Sequence, residues 1–264
     1  MSTFAVSFDG TRVAFESRGA GSQDVVLIHG WACNRRFWDS QLAPLAARFR
    51  VLNIDLPGHG ESGRSRRAWT IRALGSDVVA VLRLAEARQC ILVGHSMGAD
   101  VTLEASRQLR SAVEGMIWVD QYAQLSHALS RSSIAARLVP FRADFVNTTR
   151  RLVESLFSPL AAPELVARVA SEMASASPKT AVATLEATWN HARSVPALLA
   201  EVGLPVVAIN AANSSTDRDS LAAHGIEVLE LRDSGHFPML ERPAELNLML
   251  ATAIELVSRR KRRD

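Results

Sequence analysis

Residues Cys90–Asp100 read C-I-L-V-G-H-S-M-G-A-D. Ile91-Leu92-Val93 is a short apolar run of the kind that forms a buried strand. Met97, Val101, Ala105 and Leu109 then recur every four residues, the spacing of one helix face. Between these elements, Gly94-His95-Ser96-Met97-Gly98 has to turn the chain from strand to helix. Neither glycine carries a Cβ to collide with neighbouring backbone, so the turn can be sharp, and the serine hydroxyl is left standing over the sheet edge. The helix that starts beside it offers free N–H groups and the positive end of a dipole, which suit the oxyanion formed when a hydroxyl attacks an acyl carbon. Ser96 is therefore the first candidate nucleophile.

The rest of the chain supplies a strand and helix alternation around this turn. Residues 3–8 and 11–18 read as two strands meeting at Asp9-Gly10, with alternating apolar residues such as Val13 and Phe15. Val25-Val26-Leu27-Ile28 is a strand covered on both faces that ends at His29-Gly30-Trp31, and a helix follows over about 38–48. Val51–Asp55 is a further strand, breaking into the glycine-rich loop Leu56–Gly63. A helix over about 70–87 carries the stripe Leu74, Val78, Val81 and Leu82. Gly115–Asp120 is another buried strand that ends in a carboxylate. Such alternation predicts a parallel sheet, and ligands of parallel sheets bind beyond the carboxyl ends of the strands, where His29, Asp55, Ser96 and Asp120 fall.

From Gln121 to about Leu199 the alternation stops. Helical stripes take over (Phe145, Leu152, Val153, Leu156 and Phe157, then Leu165, Val166, Val169 and Met173), punctuated by Pro140, Pro159, Pro163, Pro178 and Pro196. The expected organisation is a core of residues 1–120 and 200–264 with a helical cap inserted over 121–199. The sheet resumes with Pro205–Asn210, a helix near 216–224 and Glu227–Leu231, followed by the loop Arg232–Pro238 and a last helix over about 243–258.

Composition narrows the class. With 264 residues and 48% hydrophobic content the chain can bury a large core. Two cysteines, Cys33 and Cys90, make no disulfide scaffold and fit a reducing compartment. No apolar run is long enough to span a bilayer and no signal-peptide pattern opens the sequence, so a soluble, cytoplasmic protein is expected. The net charge of +3 comes from the end of the chain: without residues 259–264 the 30 basic and 27 acidic residues fall to 25 and 26. That basic run reads as a frayed, solvated tail, and the globular part has no basic stripe to suggest a nucleic-acid partner. No His-x-His, His-Glu-x-x-His or Cys-x-x-Cys spacing occurs, and neither metal nor other cofactor is expected.

Four motifs in this order resemble the α/β-hydrolase superfamily over nearly the whole chain. They are His29-Gly30-Trp31 after a strand, Asp55-Leu56-Pro57-Gly58-His59-Gly60-Glu61-Ser62, Gly94-His95-Ser96-Met97-Gly98, and Ser234-Gly235-His236-Phe237 near the C-terminus. The resemblance implies a mostly parallel, twisted α/β sheet of about eight strands with helices on both faces. It also implies Ser96 as nucleophile, His236 as general base, and the backbone N–H groups of Trp31 and Met97 as oxyanion hole. The chemistry requires such a set: a serine hydroxyl attacks an ester at neutral pH only if a base takes its proton, and imidazole titrates near that pH. His29, His59 and His95 flank motif glycines and are expected to shape loops, while His127, His191 and His224 have no motif support.

The acid is the point of departure. In the commonest pattern an aspartate follows the strand after the cap, but here that stretch is Ile209-Asn210-Ala211-Ala212-Asn213-Ser214-Ser215. Asp120, at the end of the strand after the nucleophile helix, is the preferred candidate, since some members of the superfamily use that place. Asp217 is the alternative, although Thr216-Asp217 looks like a helix cap; Asp219, Asp233 and no acid remain. Asp55 is expected to be architectural and Cys33 to line the pocket. The leading expectation is a serine hydrolase that cleaves a small, largely apolar carboxylic ester through an acyl-enzyme. Candidate pocket aromatics are Trp31, Trp118, Phe141, Phe145 and Trp189. Lactone, thioester or carbon–carbon bond hydrolysis and perhydrolysis are alternatives on the same machinery, and a non-catalytic ligand receptor is the alternative of another class.

Overall fold

The apolar runs pair into one eight-stranded sheet. In spatial order it holds β1 (Thr3–Val6), β2 (Arg12–Arg18), β4 (Arg50–Ile54), β3 (Asp24–Ile28), β5 (Cys90–His95), β6 (Val113–Val119), β7 (Val206–Ala211) and β8 (Ile226–Leu231). This computed structural model describes residues 2–125, 129–212 and 215–261. β2 is antiparallel to both β1 and β4, and every pair from β4 onward is parallel. β1 stops at Val6 because Ser7 already enters the turn: its N–H donates to Thr11 O at 2.9 Å, and Gly10 takes the left-handed φ of +82° that the turn needs.

Every residue of β3 and β5 is buried, as the apolar runs Val25–Ile28 and Ile91–Val93 within them require of strands covered on both faces. The covering helices are α1 (Asp39–Ala46), α2 (Ile71–Leu84), α3 (Met97–Gln108) and α11 (Pro243–Lys261). α3 packs on β5, β6 and α2, whereas α11 packs on β6, β7 and α1. The stripe Leu74, Val78, Val81 and Leu82 of α2 is fully buried, and Thr70 caps the helix by accepting from the N–H of Ala73. Burying each such side chain contributes about 1.5–3 kcal/mol.

Between β6 and β7 the chain forms α4 (Arg131–Ala143), α5 (Phe145–Leu156), α6 (Pro163–Ala174), α7 (Pro178–His191) and α8 (Val195–Val202). Pro163 and Pro178 occupy first helical positions, where a missing N–H costs nothing, and Gly203 closes α8 with φ +58°. α7 leans on α2 and α3 of the sheet layer.

The C-terminal basic run behaves differently from expectation. Arg259, Arg260 and Lys261 continue α11 rather than fraying. Arg260 reaches Glu227 on β8 at 2.7 Å and Arg259 pairs with Glu255 one turn back, so two of the three charges have partners. Arg262, Arg263 and Asp264 lie outside the described residues, as do His127 and the family's usual acid position at Asn213. Among the described residues no helix is long and apolar enough to cross a membrane.

Candidate active site

Ser96 links β5 to α3 at φ +49°, ψ −125°. A side chain in that backbone region costs about 1–3 kcal/mol and persists only where the surroundings fix it. Here they do. The N–H of Ser96 donates to Val119 O at 3.0 Å. A Cβ on Gly98 would lie 2.4 Å from Ile28 O, and one on Gly94 would lie 2.3 Å from Gly98 O. Both motif glycines are thus needed for strand and helix to approach. α3 begins at Met97, whose N–H has no carbonyl within the helix to bond, and no backbone carbonyl takes the N–H of Trp31 among the described residues.

On the adjacent strand β6 the chain ends in Asp120, also at positive φ (+48°), with its N–H held by Ile209 O at 2.9 Å. Its Oδ1 accepts the Ala211 N–H at 2.8 Å and its Oδ2 lies 2.7 Å from His236 Nδ1. The carboxylate accepts, so Nδ1 carries the proton and Nε2 is left with a lone pair. Burial pushes the Asp120 carboxyl up, but the His236 hydrogen bond and charge, with the Ala211 N–H, outweigh it and hold the group below its ordinary range. Asp217 does not reach this imidazole: it caps α9 (Arg218–Ala222) by accepting from Ser220 N–H at 2.9 Å. Asp219 lies in the first turn of that helix, and Asp233 is exposed in the loop before His236.

The loop that carries His236 is tied at several points, of which only His95 belongs to a sequence motif. The N–H of His236 donates to Leu156 O, at the end of α5, at 2.8 Å. Glu241, in the short helix α10 (Pro238–Glu241), accepts from the N–H groups of Gly235, Phe237 and Ser158 at 3.1, 3.2 and 2.9 Å. His95 sits against His236 with ring centroids 4.7 Å apart, and its Nε2–H donates to His236 O at 2.7 Å. Burial pushes His95 down to about 3, so it stays a neutral, fixed donor. Glu241 could have been suspected from its place five residues after His236; its three-way role could not.

The other motif residues hold loops. His29 Nε2 accepts from Leu56 N–H at 3.0 Å, and His59 Nδ1 lies 3.1 Å from Pro57 O. Asp55 accepts from the Arg35 and Glu61 N–H groups and pairs with the Arg35 guanidinium at 2.6 Å. A Cβ on Gly60 would lie 2.2 Å from the Asp55 carboxyl, so that residue is glycine by necessity.

Ser96 and His236 both line a cavity of about 390 Å³ between the strand ends and α4–α7. Trp31, Leu129, Leu152, Leu156, Met173, Leu185, Trp189 and Phe237 give it an apolar wall, and His95, Gln121, Tyr122, Arg137 and Thr188 add polar groups to it. Cys33 lines it as expected; burial pushes its thiol well above the ordinary range. Of the candidate aromatics, Trp31 and Trp189 face the cavity. Trp118, Phe141 and Phe145 belong instead to the buried core, the last two packed edge-on against Trp31.

Beneath this wall lies a second polar cluster that sequence reading missed. Asp100, fully buried in the first turn of α3, accepts from Tyr122 Oη at 2.5 Å and Gln121 Nε2 at 2.7 Å. His191 at the end of α7 reaches it with Nδ1 at 3.0 Å, and its Nε2 lies 3.4 Å from Glu104 Oε1. Burial alone pushes His191 down, but the two carboxylates prevail and raise it to about 9. The only available signal was a pair of carboxylates, Asp100 and Glu104, one turn apart on α3. Among the described residues no group of three or more His, Cys, Asp or Glu is placed to hold a metal ion.

Residues 25–247 match the model of the alpha/beta hydrolase family. The chain belongs to this family. Among curated relatives, it is 38% identical over 101 residues to the pimeloyl-(acyl-carrier protein) methyl ester esterase of Edwardsiella ictaluri, a match that takes in 38% of this chain and 37% of that protein. It is 32% identical over 158 residues to a dihydrolipoyllysine-residue acetyltransferase component of the acetoin cleaving system of Pseudomonas putida, covering 54% of this chain and 41% of that protein. The chain thus spans less than half the length of these relatives. Among solved structures, a thermophilic esterase from Thermogutta terrifontis superposes with a TM-score of 0.83 at 22% identity, over 97% of this chain and 99% of that one. An enol-lactonase from Burkholderia xenovorans gives 0.82 at 20% identity over 96% and 100%. These two likenesses are likenesses of fold.

Proposed function

We propose that this α/β-hydrolase cleaves carboxylic esters of small, largely apolar acyl compounds through an acyl-enzyme on Ser96. The observation that carries the reading is the Asp120–His236 pair at 2.7 Å, set on the rim of the cavity that Ser96 also lines. Ser96 Oγ attacks the acyl carbon while His236 Nε2 takes its proton. Asp120 holds the ring in the Nδ1–H tautomer and stabilises the imidazolium that forms. The negative oxygen develops against the N–H groups of Trp31 and Met97, which are fixed before the reaction begins. His236 then gives its proton to the departing alcohol, and in the second half takes one from the water that releases the acid.

The segment α4–α8 acts in this reading as a cap that supplies most of the apolar wall and so selects the substrate. The relatives named as esterases and the lactonase of the same fold are consistent with acyl chemistry at such a site. Labelling by a fluorophosphonate probe tests the reading. The folded protein is expected to label, and Ser96→Ala to abolish labelling together with turnover of p-nitrophenyl esters. Labelling that survives in Ser96→Ala, or a folded protein that does not label, would overturn it.

A further inference from the structure

The wall of the cavity contains one feature that ester hydrolysis does not require. α4 presents Ile134, Leu138 and Phe141, all buried, along the stripe that faces the molecule's interior. Arg137 belongs to the same stripe by its spacing, three residues after Ile134 and four before Phe141, at a place where the pattern calls for an apolar side chain. It is exposed and at the same time lines the cavity, so it stands at the mouth.

Most other arginines of α4–α8 and its links have partners. Arg142 pairs with Glu186, Arg168 with Glu172, and Arg193 donates to Leu129 O. The guanidinium of Arg137 has no hydrogen bond or ion pair among the described residues, and no carboxylate is among the described residues of the wall. A cation beside an apolar cavity with nothing to neutralise it favours a ligand that brings its own negative charge. One guanidinium matches one carboxylate, fork to fork; a doubly charged phosphate would call for a second cation, and the described wall offers no further arginine or lysine.

We propose that Arg137 recognises a carboxylate at the end of the substrate remote from the scissile bond, so that the preferred substrates are half-esters of linear dicarboxylic acids. The inference rests on the reading of the cavity as the site of ester cleavage. The apolar wall holds the methylene chain, Ser96 and His236 meet the ester at one end, and Arg137 meets the free acid at the other.

Two measurements test it, one independent of catalysis. Monoethyl suberate and diethyl suberate share a chain and differ in one charge. In the wild-type chain kcat/KM is expected to favour the half-ester, by about tenfold at low salt, with the ratio falling as salt is added. Arg137→Gln is expected to remove most of that ratio, Arg137→Lys to keep part of it, and Arg137→Glu to invert it. The same pair is titrated into Ser96→Ala with and without Arg137→Gln, read by the fluorescence of Trp31 and Trp189 in the wall. If neither ester turns over but binding still discriminates by charge through Arg137, the catalytic reading falls and the assignment of Arg137 stands. If neither binding nor turnover favours the half-ester, or if Arg137→Gln discriminates as the wild type does, the proposal is overturned.

Discussion

His191 joins α7 to α3, the helix that follows Ser96, and its protonation has a calculable effect on stability. In the folded chain it is raised from 6.5 to about 9 by Asp100 and Glu104. The native state therefore keeps a proton between those two values that the unfolded state gives up, so stability falls with rising pH across that window. The contribution is fully present below about pH 6.5 and lost above about pH 9. Its size follows from the shift: two to three pKa units at 1.36 kcal/mol each come to about 3 kcal/mol. For a chain of this length that corresponds to about 6–12 °C in Tm.

The groups facing His191 are Asp100 and Glu104 from α3. Arg107 is bonded to Glu104, and Tyr122, whose hydroxyl burial pushes well above its ordinary range, is bonded to Asp100. Against the upward push of burial, Glu104 is held below its ordinary range by His191 and Arg107, and Tyr122 lies well above its own, so neither competes with His191 for a proton in this window. The experiment compares the wild type with His191→Gln by thermal melts at steps from pH 6 to 10. The wild type is expected to melt well above the variant at pH 6, and the gap to close towards pH 10. A gap that stays constant, or widens with pH, would refute the assignment of a protonated His191 bridging two carboxylates.

Exchange of the two candidate acids should separate their roles. Asp120→Asn is expected to lower kcat by about 10³–10⁴-fold with little change in Tm, through loss of the correct tautomer of His236. Asp217→Ala should leave kcat essentially unchanged and cost about 0.5–2 kcal/mol as a lost helix cap, seen in a chemical melt. The reverse ordering would move the acid to the later strand. Removal of the donor that holds the loop of His236 is expected to cost rate with little loss of substrate affinity. His95→Phe should lower kcat by about 10²-fold, the penalty of a reacting group displaced by about 1 Å, and His95→Gln should recover part of it; equal kcat in all three would dismiss the positioning role.

Much of the sheet was legible because its strands announce themselves. Val25–Ile28 and Ile91–Val93 are unbroken apolar runs, and such runs have few other places to go than the middle of a covered sheet. Asp120 could be preferred to Asp217 for an equally local reason: one ends a buried strand and the other precedes a short polar helix, and those contexts dictate a presented carboxylate and a cap. His95, Glu241, Asp100 and His191 were not legible in their full roles. Each acts across a gap of many residues or on backbone atoms, and a backbone carbonyl such as His236 O or Leu156 O has no letter of its own. The helical start of the basic run was illegible for a related reason, since Glu227 lies on a strand that only the folded sheet brings within reach of Arg260.

The loop of His236 is stitched to the end of α5 through Leu156 O and, by way of Glu241, through the N–H of Ser158. Exchange of α4–α8 for the equivalent segment of a homologue would therefore do more than swap one set of wall residues for another. A graft whose incoming segment lacks a carbonyl at the level of Leu156 and an amide at that of Ser158 would unseat the imidazole, and activity would vanish towards every ester. Chimaeras of this protein should carry Gly235–Glu241 along with the transplanted helices as one inherited unit.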